Sequence, residues 1–257
     1  MKKCLIFLVL IVAISNLSAQ TVFQKTFYNN YNHFVNGVIS DFSGNFLIFG
    51  STMDNASSWS IFLIKTNSSG QLIWSKRYAA GTYFSAESMV QTADSGFLIT
   101  GAYLAANNDN YIHLTKIDAS ANWQWTKTYL ESGYSSGLIS KISKDPEGNY
   151  MLCGNYSNSI SGYGFFIKVD SIGDTIFTRK YINPPIGMKD IIPTSDSSYF
   201  ITGNYKIFDT LSNNYLNYIY TAKISKNGSL LYSRAFLDTS SYSVYPVKSI
   251  EISFVIH

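Results

Sequence analysis

Short apolar runs separated by turn residues make up nearly the whole chain after residue 20. In one representative stretch these runs cover about 85–92, 96–103, 110–118 and 122–130, and none sustains the 3.6-residue period of an amphipathic helix. β-Branched and aromatic residues dominate them, which is typical of strands. The segments 92–96 and 118–122 predict tight turns, in which Asp and Asn bond their own backbone and Gly permits a positive φ.

The same pattern repeats with a period of about 51 residues. Each repeat has an apolar strand that ends in glycine, and the four copies are GNFLIFG at 44–50, SGFLITG at 95–101, GNYMLCG at 148–154 and SSYFITG at 197–203. We expect the closing glycine to allow a close approach of strands. Four meandering strands, copied in sequence, predict the blades of an all-β protein of the β-propeller type.

Two further landmarks follow each glycine in a fixed order. The first is a lysine, at Lys65, Lys116, Lys168 and Lys223. The second is an aromatic-x-basic-x-aromatic triplet, at 74–78, 125–129, 177–181 and 232–236. We expect the first aromatic residue of each triplet to fill the space between neighbouring blades. The lysines suggest either a ring that binds anions or stems that cover apolar surface while their amines reach water or turn carboxylates, and we favour the second interpretation.

The landmarks define four complete repeats and parts of a fifth in a domain of residues 20–257. The repeats cover about 34–78, 84–129, 137–181 and 187–236. A fourth-type strand at 21–28 precedes them, and residues 244–257 match the first two strands of another repeat. We therefore expect the chain to be a fragment of a longer propeller, and its first strand to be able to complete the last blade.

The first 19 residues have the pattern of a secretory signal peptide. Lys2 and Lys3 precede an apolar run at 4–14 that is too short to span a bilayer, and Ala19 provides a small residue at the expected cleavage site. No later run approaches a membrane-spanning length, so we expect a secreted or cell-surface protein without a transmembrane segment. After cleavage Cys153 is the only cysteine, which excludes an intramolecular disulfide and leaves stability to a large core.

Composition narrows the classes of partner. Apolar residues make up 46% of the chain and charged residues 14%, which excludes a disordered protein. Without the two lysines of the leader, 17 basic and 16 acidic residues remain. A nearly neutral protein of this kind offers no electrostatic basis for binding nucleic acid.

The repeat motifs resemble those of a known class of secreted proteins. The sequences DFSGNF at 41–46, DPEGNY at 145–150, KTNSSGQLIW at 65–74 and KVDSIGDTIF at 168–177 are similar to propeller-like repeats of exported Bacteroidota proteins. Many proteins of that class end in a type IX secretion sorting domain, and none is visible here. The resemblance implies the fold and export, and it implies no activity.

No local motif predicts catalysis, a cofactor or a metal. GYSSG at 133–137 matches the nucleophile elbow of hydrolases, but that motif needs a strand-to-helix turn and here joins two strands. The acidic turns at 41–45 and 145–149 lack the alternating ligands of a calcium loop. His113 and Cys153 have no suitably spaced partners for zinc, so packing is the simpler explanation for both.

The longer, variable connections of a meander lie together on one face, where a rigid frame presents them for recognition. The candidate ligand-binding residues on this loop face are Asp54, Trp59, Tyr103, Asp109, Tyr156, Tyr163, Tyr205 and Asp209. Aromatic platforms with sparse carboxylates suit a glycan or a protein partner at the cell surface. We favour an exported binding or structural module over an enzyme. The alternative is a carbohydrate-active hydrolase or lyase with carboxylates from several blades.

Overall fold

The computed structural model describes residues 32–55, 58–79, 83–105, 109–130, 136–158, 162–181, 187–211 and 213–237, with the isolated positions 24 and 26. Of residues 54, 55 and 209 it describes the backbone alone. The predicted leader and partial fifth repeat lie outside these ranges, as does the N-terminal strand at 21–28 apart from the two isolated positions. All three therefore stay predictions.

Four units of antiparallel strands follow one another along the chain. The first unit consists of β1 (Asn32–Ser40), β2 (Phe46–Asn55), β3 (Ser58–Thr66) and β4 (Leu72–Tyr78). The second consists of β5 (Tyr83–Phe84), β6 (Ser88–Gln91), β7 (Phe97–Leu104), β8 (Asn110–Ile117) and β9 (Trp123–Tyr129). The third consists of β10 (Ser136–Lys144), β11 (Tyr150–Ser157), β12 (Gly162–Val169) and β13 (Thr175–Tyr181). The fourth consists of β14 (Gly187–Pro193), β15 (Tyr199–Asp209), β16 (Asn214–Ile224) and β17 (Leu230–Leu237).

In the first, third and fourth units every strand pairs with the next one in antiparallel fashion. In the second unit the first strand is divided, because β5 and β6 both pair with β7. A single parallel pair, Ser136 with Asn110, joins the second and third units into one nine-stranded sheet. The described ranges contain no helix. The prediction of an all-β protein with four-stranded antiparallel units is confirmed.

Five-residue turns connect first to second strands and third to fourth strands, and a meander brings them to the same end of each unit. We call this the turn end, and the opposite end the loop end. Asp41 is typical of the turns, because its Oδ1 accepts hydrogen bonds from the backbone N–H groups of Ser43 and Asn45, both at 2.9 Å. Gly44 follows with a φ of 76°. Turn carboxylates therefore satisfy their own backbone, as predicted.

The expected role of glycine needs a correction in two turns. The left-handed position is taken by Ser95 (φ 64°) in the turn at 92–96 and by Ala121 (φ 62°) in the turn at 118–122. Gly96 serves a different purpose, since a Cβ there would lie 2.4 Å from the carbonyl oxygen of Ile117. It permits two strands to approach closely.

The four repeated lysines fasten the turn end of their own units. Each amine pairs with a turn carboxylate, and the pairs are Lys65–Asp41 at 2.7 Å, Lys116–Asp94 at 2.8 Å, Lys168–Asp145 at 2.8 Å and Lys223–Asp196 at 2.6 Å. The hydrogen bond from Lys116 lowers the pKa of Asp94 to about 2. Burial opposes ionisation of Asp41, but its bonds to Lys65 and to turn amides outweigh this and bring its pKa to about 2. These contacts confirm the turn-carboxylate interpretation over an anion-binding ring.

The core consists of three apolar clusters, one between each pair of consecutive units. Leu47 and Leu63 of the first unit meet Phe97 and Ile99 of the second, all fully buried. Equivalent clusters join the second unit to the third and the third to the fourth. The first aromatic residues of the triplets pack against them, and these are Trp74, Trp125 and Phe177. The prediction that these rings fill the space between units is confirmed for the first three triplets. In the fourth triplet Tyr232 is 51% exposed and belongs to none of the three clusters.

The tyrosine that ends each of the first three triplets adds a polar clamp to the same boundary, whereas the fourth triplet ends in Phe236. The tyrosine hydroxyl donates to a backbone carbonyl in the third-to-fourth turn of the next unit. The three clamps are Tyr78 to Ala121 at 2.7 Å, Tyr129 to Gly173 at 2.7 Å and Tyr181 to Gly228 at 2.9 Å. Neighbouring units are therefore held by one geometry that is used three times.

Candidate functional site

A β-bulge interrupts the first strand of the first, third and fourth units. The strand register skips Asn36 in β1, Ser140 in β10 and Lys189 in β14. In the second unit Glu87 takes this position at the break between β5 and β6, where its backbone N–H donates to the carbonyl of Thr100 at 2.8 Å. A bulged residue is unpaired in the ladder, so its side chain is aimed away from the regular faces of the sheet.

The repeated glycine lies directly across from the bulge. A Cβ at Gly50 or Gly101 would lie 2.0 Å from a first-strand carbonyl oxygen, and one at Gly154 would lie 2.1 Å from the equivalent atom. No side chain fits in that space. The expectation that these three glycines allow close approach of strands is confirmed, and the cause is the bulge.

Asn36, Ser140, Lys189 and the equivalent Glu87, which we together call the bulged residues, line the same cavity, which has a volume of about 460 Å³. Tyr83, Asn110 and Asn155 add further polar groups. Ala102, Leu138 and Ile139 supply an apolar part of the wall. Leu138 is 49% exposed and Lys189 is exposed, so the cavity reaches the surface. Volumes of roughly 300–1,000 Å³ are usual for small-molecule sites.

Hydrogen bonds across the unit boundaries fix several of these side chains. Asn36 Nδ2 donates to the carbonyl of Ala86 at 2.7 Å and to Glu87 Oε2 at 3.4 Å, which links the first unit to the second. Ser140 Oγ donates to the carbonyl of Met188 at 2.8 Å, and Asn155 Oδ1 accepts from the Met188 N–H at 2.8 Å. The cavity wall is thus held by the contacts that join the units.

Other polar groups at the cavity are not engaged in this way. Asn110 Oδ1 is buried and has no hydrogen-bond partner among the described residues. A buried acceptor without a partner is unfavourable by about 1–3 kcal/mol. Lys189 forms no ion pair within the part of the chain that the structure describes. Both groups are therefore available to a ligand.

Three aromatic rings form a ladder from the surface to the cavity. Phe34 lies 5.1 Å from Trp59 between ring centroids, and Trp59 lies 5.6 Å from Tyr83, which lines the cavity. Burial and, secondarily, the charge of Glu87 raise the pKa of Tyr83, so the phenol stays protonated and keeps its O–H donor. The aromatic ladder, Phe34–Trp59–Tyr83, combines apolar faces with one polar tip.

A buried histidine supports the segment that carries Glu87. His113 Nε2 lies 2.7 Å from the carbonyl oxygen of Ser85, and its Nδ1 lies 3.0 Å from Thr115 Oγ1. Because a carbonyl only accepts, Nε2 carries the hydrogen and Nδ1 accepts from the threonine. Burial lowers the pKa of His113 to about 4, so the ring is neutral near pH 7. Its role is structural, which agrees with the packing explanation.

The predicted loop-face residues have different fates. Trp59 belongs to the aromatic ladder, and Tyr103 packs half-buried against Phe84 with ring centroids 6.3 Å apart. Asp109 is half-buried, and its carbonyl accepts from the N–H of Ala105 at 3.0 Å. Tyr205 is half-buried and stacks on Tyr218 at 4.9 Å.

Tyr156 and Tyr163 need a correction as candidate ligand platforms. Each is only 3% exposed, and their rings lie 5.8 Å apart in the core cluster between the second and third units. β11 and β12 extend past both tyrosines, so the two residues belong to strands rather than to a loop. Asp54 is the second-last residue of β2 and Asp209 is the last residue of β15, and their side chains are outside the described part of the structure.

Sequence reasoning missed the bulged residues Asn36, Glu87, Ser140 and Lys189. A signal for them exists, because each lies 14 residues before the closing glycine of its repeat. That constant spacing follows from the equal turn length in all four units. The residues differ in charge and size, so they form no recognisable motif.

The other candidate motifs have structural roles. Asp41 and Asp145 are occupied by turn amides and lysines, and the described residues contain no group of three metal-ligating side chains. Cys153 is fully buried, and burial raises the pKa of its thiol. Ser136 begins strand β10, so that part of GYSSG does not enter a helix. No described helix is long and apolar enough to cross a membrane.

No family model matches the chain, and no curated protein matches it. Solved structures are similar. An α-L-arabinofuranosidase from Fusarium graminearum, solved with an iminosugar inhibitor, aligns over 82% of this chain and 68% of its own, with 10% identity and a TM-score of 0.55. A protein of unknown function from Dyadobacter fermentans aligns over 80% and 70%, with 9% identity and a TM-score of 0.56. At such identities the similarity concerns the fold alone, which is β-propeller-like.

Proposed function

We propose that the four units are blades of a β-propeller and that the chain is an exported binding module whose cavity takes a small polar ligand. One observation carries the proposal. Each unit contributes the bulged residue of its own first strand to one cavity. Four first strands that meet in this way are the inner strands of blades around an axis.

The construction of the cavity favours recognition. Its polar side chains stand on strands, and hydrogen bonds between units hold Asn36, Ser140 and Asn155 in place. Binding groups that a rigid frame fixes in advance lose little freedom when a ligand arrives. The cavity volume suits a small molecule or one terminal residue of a larger partner, such as a cell-surface glycan or protein.

The proposal of export rests on sequence. A basic start, the apolar run at 4–14 and the small residue Ala19 are the three parts of a secretory leader. Cleavage there would remove Cys4 and leave Cys153 as the only thiol. A protein without disulfides must depend on its core outside the cell, and the three clusters between units meet that requirement.

The carbohydrate-active enzyme is the alternative function. Glycoside hydrolysis generally uses two carboxyl groups roughly 5–10 Å apart. Glu87 is the only carboxylate among the described residues that line the cavity. That arrangement supports binding over hydrolysis.

A panel of small molecules and one cavity-narrowing variant test the proposed function. Neutral sugars, amino acids, nucleosides and dicarboxylates are titrated into the full chain and followed by ligand-observed NMR. Leu138→Trp places a bulky ring at the exposed cavity wall and should abolish binding of any compound that the native protein takes. Leu72→Trp, at a leucine that is 54% exposed on β4, is the matched control and should bind normally. Binding that Leu138→Trp leaves intact, or no binding at all, would contradict the proposal.

The same protein separates binding from turnover. Nitrophenyl glycosides are incubated with the native chain and with Glu87→Gln. We expect no release of nitrophenol from either. Turnover that is present in the native chain and lost in Glu87→Gln would replace the binding module by the hydrolase alternative.

A further inference from the structure

We propose that the cavity binds a neutral saccharide, with the face of the sugar ring against the aromatic ladder and its hydroxyl groups toward the bulged residues. This inference rests on the proposed function, since it names the class of ligand for the same cavity. Three features carry it, namely the charge of the wall, the hydrogen-bonding groups still available and the aromatic ladder.

The charge of the cavity wall is balanced. Among the described lining residues Glu87 is the one acidic side chain and Lys189 the one basic side chain, and Tyr83 stays neutral. An anion would be attracted by Lys189 and repelled by Glu87 in the same small space. A cation would be attracted by Glu87 and repelled by Lys189. A neutral ligand can donate a hydrogen bond to Glu87 and accept one from Lys189, and it meets repulsion from neither.

The hydrogen-bonding groups left at the wall are of both kinds. Asn36 uses its Nδ2 within the protein, so its Oδ1 is left to accept, and Asn110 Oδ1 is a second acceptor. Asn155 uses its Oδ1, so its Nδ2 is left to donate, and the amine of Lys189 is a second donor at the same wall. A hydroxyl group donates and accepts at once, and a sugar carries several on neighbouring carbons. One sugar ring can therefore satisfy acceptors and donors that lie on different units.

The aromatic ladder supplies the apolar half of such a site. A sugar has C–H groups on the face of its ring and hydroxyl groups around the edge. Trp59 and Phe34 offer ring surface at the loop end, and Phe34 is 48% exposed. Tyr83 continues that surface into the cavity and ends in an O–H donor. Stacking on the ladder thus leaves the sugar edge next to Asn36 and Glu87, which line the same cavity as Tyr83.

A zwitterionic amino acid is the competing ligand, because it too would match one acid and one base. Salt distinguishes the two classes. Coulombic attraction to partly exposed charges is screened between about 50 mM and 500 mM salt, while neutral hydrogen bonding and stacking are not. A saccharide should keep its affinity over that range, and an amino acid should lose much of its affinity.

Titration of methyl glycosides and amino acids into the full chain, in low and high salt, tests the inference. We expect at least one methyl pentoside or hexoside to bind with salt-independent affinity. Trp59→Ala should weaken it roughly tenfold or more, because a central aromatic contact is lost. Tyr215→Ala is the matched control, since Tyr215 is 60% exposed on β16 and packs against Phe208 away from the ladder. It should bind like the native chain.

Asn110→Leu provides a second test that does not depend on the ladder. It removes the unpartnered buried oxygen, so the free protein should keep or raise its melting temperature while saccharide affinity falls roughly tenfold. Saccharide binding that neither Trp59→Ala nor Asn110→Leu weakens would overturn the placement. Amino acids that bind where no saccharide does, and that Leu138→Trp excludes, would overturn the saccharide and leave the proposed function standing. Absence of any ligand would overturn both.

Discussion

The turn end of this protein uses the same contacts in every unit, whereas the residues toward the loop end differ from unit to unit. At the turn end all four units repeat one lysine–aspartate pair, and three boundaries repeat one tyrosine clamp. Toward the loop end the equivalent positions carry Asn36, Glu87, Ser140 and Lys189. Repetition at one end fixes how units stack, and variation at the other creates a surface that has no internal symmetry.

This difference predicts which substitutions should lower stability and which should lower ligand affinity. Groups at the turn end have partners inside the protein, so their loss leaves a polar atom unsatisfied. Several groups at the cavity have no such partner, and Asn110 Oδ1 is the clearest case. We therefore expect the turn end to govern stability and the cavity to govern binding.

The largest effect should come from Lys168→Met. Asp145 has a fully buried carboxylate and Lys168 a side chain that is 6% exposed, so the substitution strands a buried charge. We expect a loss of about 3 kcal/mol or more in the free energy of unfolding, measured with urea. Lys223→Met is the control, because its partner Asp196 is 56% exposed and the loss should stay below about 1 kcal/mol. Equal losses of unfolding free energy in the two variants would contradict the idea that the buried ion pair contributes more than the exposed one.

Protonation of the buried histidine and of the turn carboxylates should lower the free energy of unfolding in different pH ranges. The native pKa of His113 is about 4 and its ordinary value is 6.5, so the unfolded chain binds a proton that the native state excludes. Stability is complete above pH 6.5 and falls as the pH drops toward 4, by roughly 3 kcal/mol. The turn carboxylates Asp41 and Asp94 act lower, since their pKa values fall from 3.8 to about 2 and their contribution is lost over that interval.

Urea unfolding of the native chain and of His113→Gln at several pH values checks this order. The variant is expected to be less stable at pH 7 and to lose the slope between pH 6.5 and 4. It should keep the slope below pH 4, where the carboxylates titrate. A native chain whose stability stays level down to pH 4 would contradict the buried, neutral histidine.

The smallest effect should come from Tyr129→Phe, which removes one clamp hydroxyl and keeps the ring. The hydrogen bond to Gly173 is 2.7 Å long and joins the second unit to the third. Its loss should lower the free energy of unfolding by about 1 kcal/mol. Tyr215→Phe at the exposed hairpin of the fourth unit should change it by less than about 0.5 kcal/mol. A clamp variant as stable as this control would show that the joint depends on its rings alone.

Much of the turn end could be predicted from sequence because its physics is local. A carboxylate in the first turn and a lysine on the third strand recur in every unit, and strand pairing brings them together whatever the rest of the fold does. The glycine opposite each bulge also had a sequence signal. The residue in the bulge had none of its own, because a different polar side chain occupies that position in each unit.

The candidate ligand residues were harder to predict, since burial depends on how units stack. Tyr156 and Tyr163 flank a variable connection, and tyrosine is common in strands and in binding surfaces alike. Their burial follows from the length of β11 and β12 together with packing against the second unit. Trp59, in the equivalent region of the first unit, is instead part of the aromatic ladder.

The bulge has a consequence for how such a protein can diversify. A residue in a bulge lies outside the regular faces of its sheet, so exchanging it leaves the apolar layers of the interior unchanged. What it can disturb is a hydrogen bond across a unit boundary, such as those of Asn36 and Ser140. Each copy of the motif has one such position, so four side chains can vary while the repeated scaffold stays constant. New ligand specificities could then arise by substitution at those four positions while the repeat residues that determine the fold are kept.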